Sequence, residues 1–162
     1  MAMFQSFVLS PKSLSICWAK ESNYWTVSPM PNSRFLQKAV LLEVCFLQIG
    51  GSFDTAMLDK DTTYSVLYLF KHNYPARGLD TPAEVSLSQK DGQKICRRQV
   101  YLFPGSPDLM QREGEEWLAL EAGRFQPSVV SREISFNLLD DSEQWKSGLV
   151  FAGVEIHAVS EE

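Results

Sequence analysis

Residues 83–103 read Ala-Glu-Val-Ser-Leu-Ser-Gln-Lys-Asp-Gly-Gln-Lys-Ile-Cys-Arg-Arg-Gln-Val-Tyr-Leu-Phe. Val85 and Leu87 alternate with polar residues, the period of a half-buried β-strand. Lys90-Asp91-Gly92-Gln93 carries the Asp-Gly hairpin signal, because a tight hairpin turn needs positive φ. Ile95 to Phe103 is then expected to pair back on the first run. Arg97 and Arg98 fall on opposite faces of that second strand, which suits a solvated sheet edge and not a basic patch.

The same pattern recurs on both sides. Thr62 to His72 puts Tyr64, Val66, Tyr68 and Phe70 on one face. Arg132 to Leu139 points Ile134, Phe136 and Leu138 inward, and Gly148 to Val159 does so with Val150, Val154 and Ile156. Glu116 to Ala122 is a short strand around Trp117. Val40 to Ile49 is apolar on both faces and is expected to be one buried central strand, broken at Gly50-Gly51 by a turn or bulge. Asn73–Thr81 and Pro104–Glu115 hold prolines and glycines and read as loops. Short strands between turn signals, without a long amphipathic helix, predict an all-β antiparallel sandwich, jelly-roll-like and a single domain. Residues 1–12 read as a lead-in and 13–160 as the domain.

The composition fits one globular domain: 162 residues, 44% hydrophobic and 22% charged. A net charge of −5 argues against a nucleic-acid partner. No apolar run is long enough to span a membrane. Residues 1–10 contain no lysine or arginine and do not read as a secretory signal. Cys17, Cys45 and Cys96 are odd in number and far apart, so free thiols in a reducing compartment are expected. With two histidines, His72 and His157, and no cysteine pair at zinc spacing, no metal site is expected. Asp59-Lys60-Asp61 suits a turn better than a calcium loop. There is no Gly-x-Ser-x-Gly elbow and no phosphate-cradling glycine loop, so neither catalytic residues nor a cofactor are predicted.

Ser13 to Trp25 holds the candidate site. Leu14, Ile16 and Trp18 alternate with Ser13, Ser15 and Cys17; a polar break, Lys20-Glu21-Ser22-Asn23, follows, and then Tyr24-Trp25. Aromatic rings beside a polar loop suit a ligand with one apolar face and several hydroxyls, and a sugar ring is such a ligand. The other reading, that Trp18 and Trp25 are core residues, stays open at this point.

Several segments, in chain order, resemble the plant phloem protein 2 lectins of the Nictaba type. They are Leu14-Ser15-Ile16-Cys17-Trp18 with Tyr24-Trp25, Glu43 to Ile49, Thr62 to Val66 with Tyr68 to Lys71, Val100-Tyr101-Leu102, Glu116-Trp117-Leu118, Trp145-Lys146-Ser147-Gly148-Leu149 and Gly153 to Ile156. The resemblance implies a carbohydrate-binding sandwich for N-acetylglucosamine oligomers, including the chitobiose core of N-glycans. It also implies a homodimer working in cytosol, nucleus or phloem sap. The family's two sugar-binding tryptophans match Trp18 and Trp25, with Asn23, Ser15 or Lys146 as partners for the acetamide and Tyr24 as a lesser contact. Three departures stand out. Residues 131–139 lack the clearly acidic positions tied to the site in some relatives. The basic nuclear-import tract is missing. The few residues before Ser13 leave no expected room for the F-box that many relatives carry. The alternative is a protein-interaction module with a degenerate sugar site; a glycan-processing enzyme ranks third.

Overall fold

The computed structural model describes residues 6–18, 20–31, 33 and 35–159. In chain order the strands are β1 (Ser6–Leu9), β2 (Ser15–Ile16), β3 (Trp25–Pro29), β4 (Gln37–Leu41), β5 (Leu47–Asp54), β6 (Tyr64–Arg77), β7 (Ala83–Gln89), β8 (Lys94–Val100), β9 (Met110–Gln111), β10 (Leu118–Phe125), β11 (Glu133–Asp140) and β12 (Ser147–Ala158). Among the described residues the helical segments are short 3-10 turns at Pro11–Ser13, Thr55–Met57 and Pro127–Val129.

The strands form two sheets. One has the order β3-β4-β12-β6-β10-β9, with β1 also paired to β12; the other has the order β2-β5-β11-β7-β8. The pairings are antiparallel, from the β12–β6 ladder to the β7–β8 hairpin. The expected antiparallel sandwich is therefore the observed fold, in one domain. The Asp-Gly hairpin lies at Lys90–Gln93, with Gly92 at φ +87°.

Period-two alternation builds the interior. Tyr64, Val66, Tyr68 and Phe70 of β6 meet Ile134, Phe136 and Leu138 of β11 and Val85 and Leu87 of β7 in one buried cluster. Tyr68 sets the spacing of the layers: its ring meets Phe136 edge-on at 5.8 Å, and its hydroxyl donates to the Ile49 carbonyl oxygen at 2.7 Å. Burial pushes the Tyr68 phenol well above its ordinary pKa of 10, so it stays a donor.

Three expectations need correction. Val40–Ile49 is not one strand: β4 ends at Leu41, β5 starts at Leu47, and the two belong to different sheets. The residues between carry the chain from one layer to the other. That changes which parity faces the core, from Ala39 and Leu41 to Val44 and then Leu47 and Ile49, while Leu42 and Phe46 turn outward. A segment that switches layers thus imitates a strand buried on both sides. Gly50 and Gly51 form neither turn nor bulge; they continue β5 against β11. A Cβ would lie 2.8 Å from Asn137 Oδ1 at Gly50 and 2.7 Å from Leu14 Cδ2 at Gly51, so close packing selects glycine. Finally, β6 runs through the stretch read as loop, to Arg77. Pro75 falls where the register shifts between Leu149↔His72 and Ser147↔Arg77, and there its missing N–H costs no ladder bond.

Of the expected lead-in, Ser6–Leu9 is a strand of the larger sheet, in register with Val154 to His157. Residues 1–5, and residue 160 at the expected domain end, lie outside the described residues. On the outer face of that sheet, burial would raise the Glu121 carboxyl. The Ser65 hydroxyl and Arg124 outweigh it and hold its pKa below the ordinary 4.5.

β8 is the edge of the smaller sheet, as the two arginines suggested. Arg97 is exposed, whereas Arg98 Nη2 donates across to the Glu121 carbonyl oxygen of β10 at 2.6 Å and helps join the layers on that side. On the opposite side β2 and β3 are the two sheet edges, and the chain itself joins them through residues 17–24.

Candidate functional site

The β2–β3 connection is built from successive turns. Cys17 N–H donates to the Gln48 carbonyl oxygen and extends the strand by one residue. The chain then reverses at Trp18, whose φ of +67° makes it the non-glycine residue recorded in the left-handed region. Glu21 N–H donates to the Trp18 carbonyl oxygen, and Tyr24 and Trp25 N–H both donate to that of Glu21. An L-residue with a bulky side chain pays a conformational penalty in that region, and such strain gathers at functional positions. Here it turns the indole outward: Trp18 is 51% exposed and meets Tyr24 edge-on at 5.8 Å. Asn23 is exposed on the same loop, and Tyr24 is half-buried. Ala19, part of the expected loop, lies outside the described residues.

Beside this loop, between the two edge strands, lies a cleft of about 460 Å³ lined by Lys12, Leu14, Ser15, Ile16, Lys20 and Val27. That volume falls in the range of small-ligand sites. Ser15 thus borders the cleft, and Trp18, Tyr24 and Asn23 stand on the adjoining turn.

Two expected contacts are elsewhere. Trp25 is 2% exposed and belongs to the core cluster, with its Nε1 buried and unpartnered among the described residues. As the first residue of β3 it faces inward, opposite Leu41 of β4. Lys146 is 0% exposed. Its ammonium donates to the carbonyl oxygens of Cys45 at 2.5 Å, Gln144 at 2.8 Å and Ser142 at 3.3 Å, and lies 3.5 Å from Asp140 Oδ1. With its three N–H groups engaged it has none to offer an acetamide. Trp25 and Lys146 are therefore corrected from ligand contacts to supports of the fold.

The neighbouring Trp145, 54% exposed, was missed as a candidate. An isolated bridge between Val44 and Lys146 holds its backbone, and Gly78, at φ +72°, packs so tightly there that a Cβ would come within 1.9 Å of the Trp145 carbonyl oxygen. The signal was present: Trp145 follows Asp-Asp-Ser-Glu-Gln, a polar run that marks an exposed loop.

Cys17, Cys45 and Cys96 are each half-buried free thiols. Among the described residues no three His, Cys, Asp or Glu side chains gather as a metal site would require. His157, Glu155 and Ser6 form a cluster, but Glu155 Oε2 at 3.1 Å and Ser6 Oγ at 3.3 Å both approach His157 Nδ1. A nucleophilic triad needs one partner on each ring nitrogen, so this cluster is not arranged as one. No described helix is long and apolar enough to cross a membrane.

An antiparallel sandwich with an exposed aromatic turn beside a cleft between its sheet edges has the layout of a binding domain. Residues 5–158 match the family model described as Phloem protein 2. The chain belongs to the phloem protein 2 family, as the resemblance implied. It is 32% identical to the Arabidopsis thaliana protein Phloem protein 2-like A1, covering 93% of this chain and 60% of the relative. It is 37% identical to the F-box protein PP2-B15 of the same plant, covering 93% and 63%. The chain thus spans less than two thirds of each of these relatives. Among solved structures, the first carbohydrate-binding module of family 27 from Caldicellulosiruptor saccharolyticus, in complex with mannohexaose, aligns at TM-score 0.48 and 12% identity over 94% of this chain and 96% of the module. At that distance neither ligand nor site carries over.

Proposed function

We propose that this chain is a non-catalytic lectin domain that binds N-acetylglucosamine oligomers, as free chitooligosaccharides or as the chitobiose core of N-glycans. The observation that carries the reading is Trp18, exposed on a left-handed turn and backed by Tyr24 beside the cleft. An indole held in this way covers the C–H face of a pyranose and excludes water at about 25 cal/mol per Å² of apolar area. The acetamide brings one donor and one acceptor, and Asn23 and Ser15 are the side chains proposed to meet them. A shallow site of this kind should bind with an affinity of roughly millimolar to micromolar.

Calorimetric titration with chitotriose tests the proposal. Trp18→Ala should weaken binding by at least about 2 kcal/mol, the size expected for a truncated aromatic anchor. Its melting temperature should stay near the parent's, because the indole is half in solvent. A folded Trp18→Ala that binds chitotriose as the parent does would remove the sugar from this turn. A parent that binds no such sugar would leave the interaction-module reading.

The working form is proposed to be a homodimer in cytosol or phloem sap, in keeping with the family. Sedimentation equilibrium at micromolar concentration should show a species of twice the 18.4 kDa chain mass, and a lone monomer would refute the dimer.

A further inference from the structure

The cleft beside the Trp18 turn holds a charge that a neutral sugar leaves unused. Leu14, Ile16 and Val27 give it an apolar wall, and Lys12 and Lys20 stand on its border with the Ser15 hydroxyl. Both lysines are exposed, and neither forms an ion pair among the described residues. Among the described residues no Asp or Glu lines the cleft, so a locally cationic site sits on a chain of net charge −5.

We propose that this cleft takes an acidic sugar, a pyranose bearing a carboxylate such as a uronate, within an oligosaccharide that reaches the Trp18 turn. This deepens the lectin reading and rests on it. The ring's C–H face would lie on the apolar wall, and its carboxylate would accept from Lys12 and Lys20. Hydrogen bonds between an ammonium and a carboxylate are shorter and stronger than those between neutral groups. Because both lysines are exposed, the gain is moderate and falls as salt rises. A chitooligosaccharide has no carboxylate and leaves both ammonium groups to water.

The test uses four probes in calorimetric titration: a tetrasaccharide alternating N-acetylglucosamine with glucuronate, its methyl ester, chitotetraose, and octanoate as an anion without a sugar. The acid should bind about tenfold more tightly than its ester at low salt. The gap should close in about 0.5 M salt, where screening reaches only a few ångströms. It should also close in the double variant Lys12→Gln/Lys20→Gln, whose melting should match the parent's. Equal binding of acid and ester overturns the inference and leaves the lectin reading standing. Tight binding of the acid with none of chitotetraose supports the cleft and removes the neutral oligomer as ligand. Octanoate binding as tightly as the acid overturns the assignment to a sugar.

Discussion

Lys146→Met should lower the unfolding free energy by about 3–5 kcal/mol, the cost of breaking a buried ion pair by removing one partner. That is a large part of the about 5–15 kcal/mol that holds a domain together. The ammonium satisfies the carbonyl oxygens of Cys45, Gln144 and Ser142 and faces Asp140, itself 3% exposed. Methionine fills most of the volume but donates nothing. It strands three acceptors and leaves a buried carboxylate with, among the described residues, only the Thr81 hydroxyl at 2.6 Å and the Ser142 N–H at 3.0 Å. Adding Asp140→Asn removes that stranded charge, so the double variant should recover part of the loss. Urea unfolding followed by tryptophan fluorescence reads both effects. A Lys146→Met protein within about 1 kcal/mol of the parent would show that the clamp does not hold this end together.

Trp25→Ala should cost about 3–5 kcal/mol, the usual range when a buried tryptophan is emptied to a cavity. The ring starts β3 among core residues and is 2% exposed. Trp25→Phe should cost less, since it keeps an aromatic ring and removes an indole N–H that has no partner among the described residues. The contrast with Trp18 is the informative part. Trp25→Ala should lose sugar affinity only in proportion to the fraction unfolded, whereas Trp18→Ala should lose affinity while folded. Chitotriose titration and thermal melting on the same samples separate the two. A Trp25→Ala protein that melts with the parent but no longer binds would return Trp25 to the site.

Strands whose faces differ were legible in the sequence. β7 and β11 alternate cleanly, and their inward residues were identified because one-sided burial writes itself into a period of two. The segment from Val40 to Ile49 misled for the same reason: apolar residues of both parities mark either a strand covered on both faces or a chain changing layers. Only the partners, Val40 with Val150 and Leu47 with Asp140, decide between them. The site was half legible. An aromatic beside a polar loop singled out Trp18, whose ring is exposed, but the same rule gave Trp25, seven residues on, which starts an edge strand facing inward. Lys146 was misjudged because lysine is so seldom buried that composition argues for the surface. What buries it is a set of backbone carbonyls, and side-chain patterns do not announce those. Of the cleft's walls, Leu14, Ser15, Ile16 and Lys20 fall in the stretch singled out, whereas Lys12 and Val27 lie outside it, because they come from the 3-10 turn before β2 and from β3.

That joining turn has company. At the Trp18 end, the connections β2–β3, β4–β5, β6–β7, β8–β9 and β11–β12 each pass from one sheet to the other. At the far end, β3–β4 and β7–β8 are plain hairpins that stay within a sheet, while β5–β6 and β10–β11 cross. A hairpin can lengthen at small cost, because closing a longer loop costs entropy that grows only with the logarithm of its length. A crossing loop of fixed span cannot lengthen so freely when a buried lysine ties it to its neighbours. The two hairpins are therefore free to drift in length, while the β4–β5 and β11–β12 crossings, tied together by Lys146, must vary by exchanging side chains at nearly constant reach.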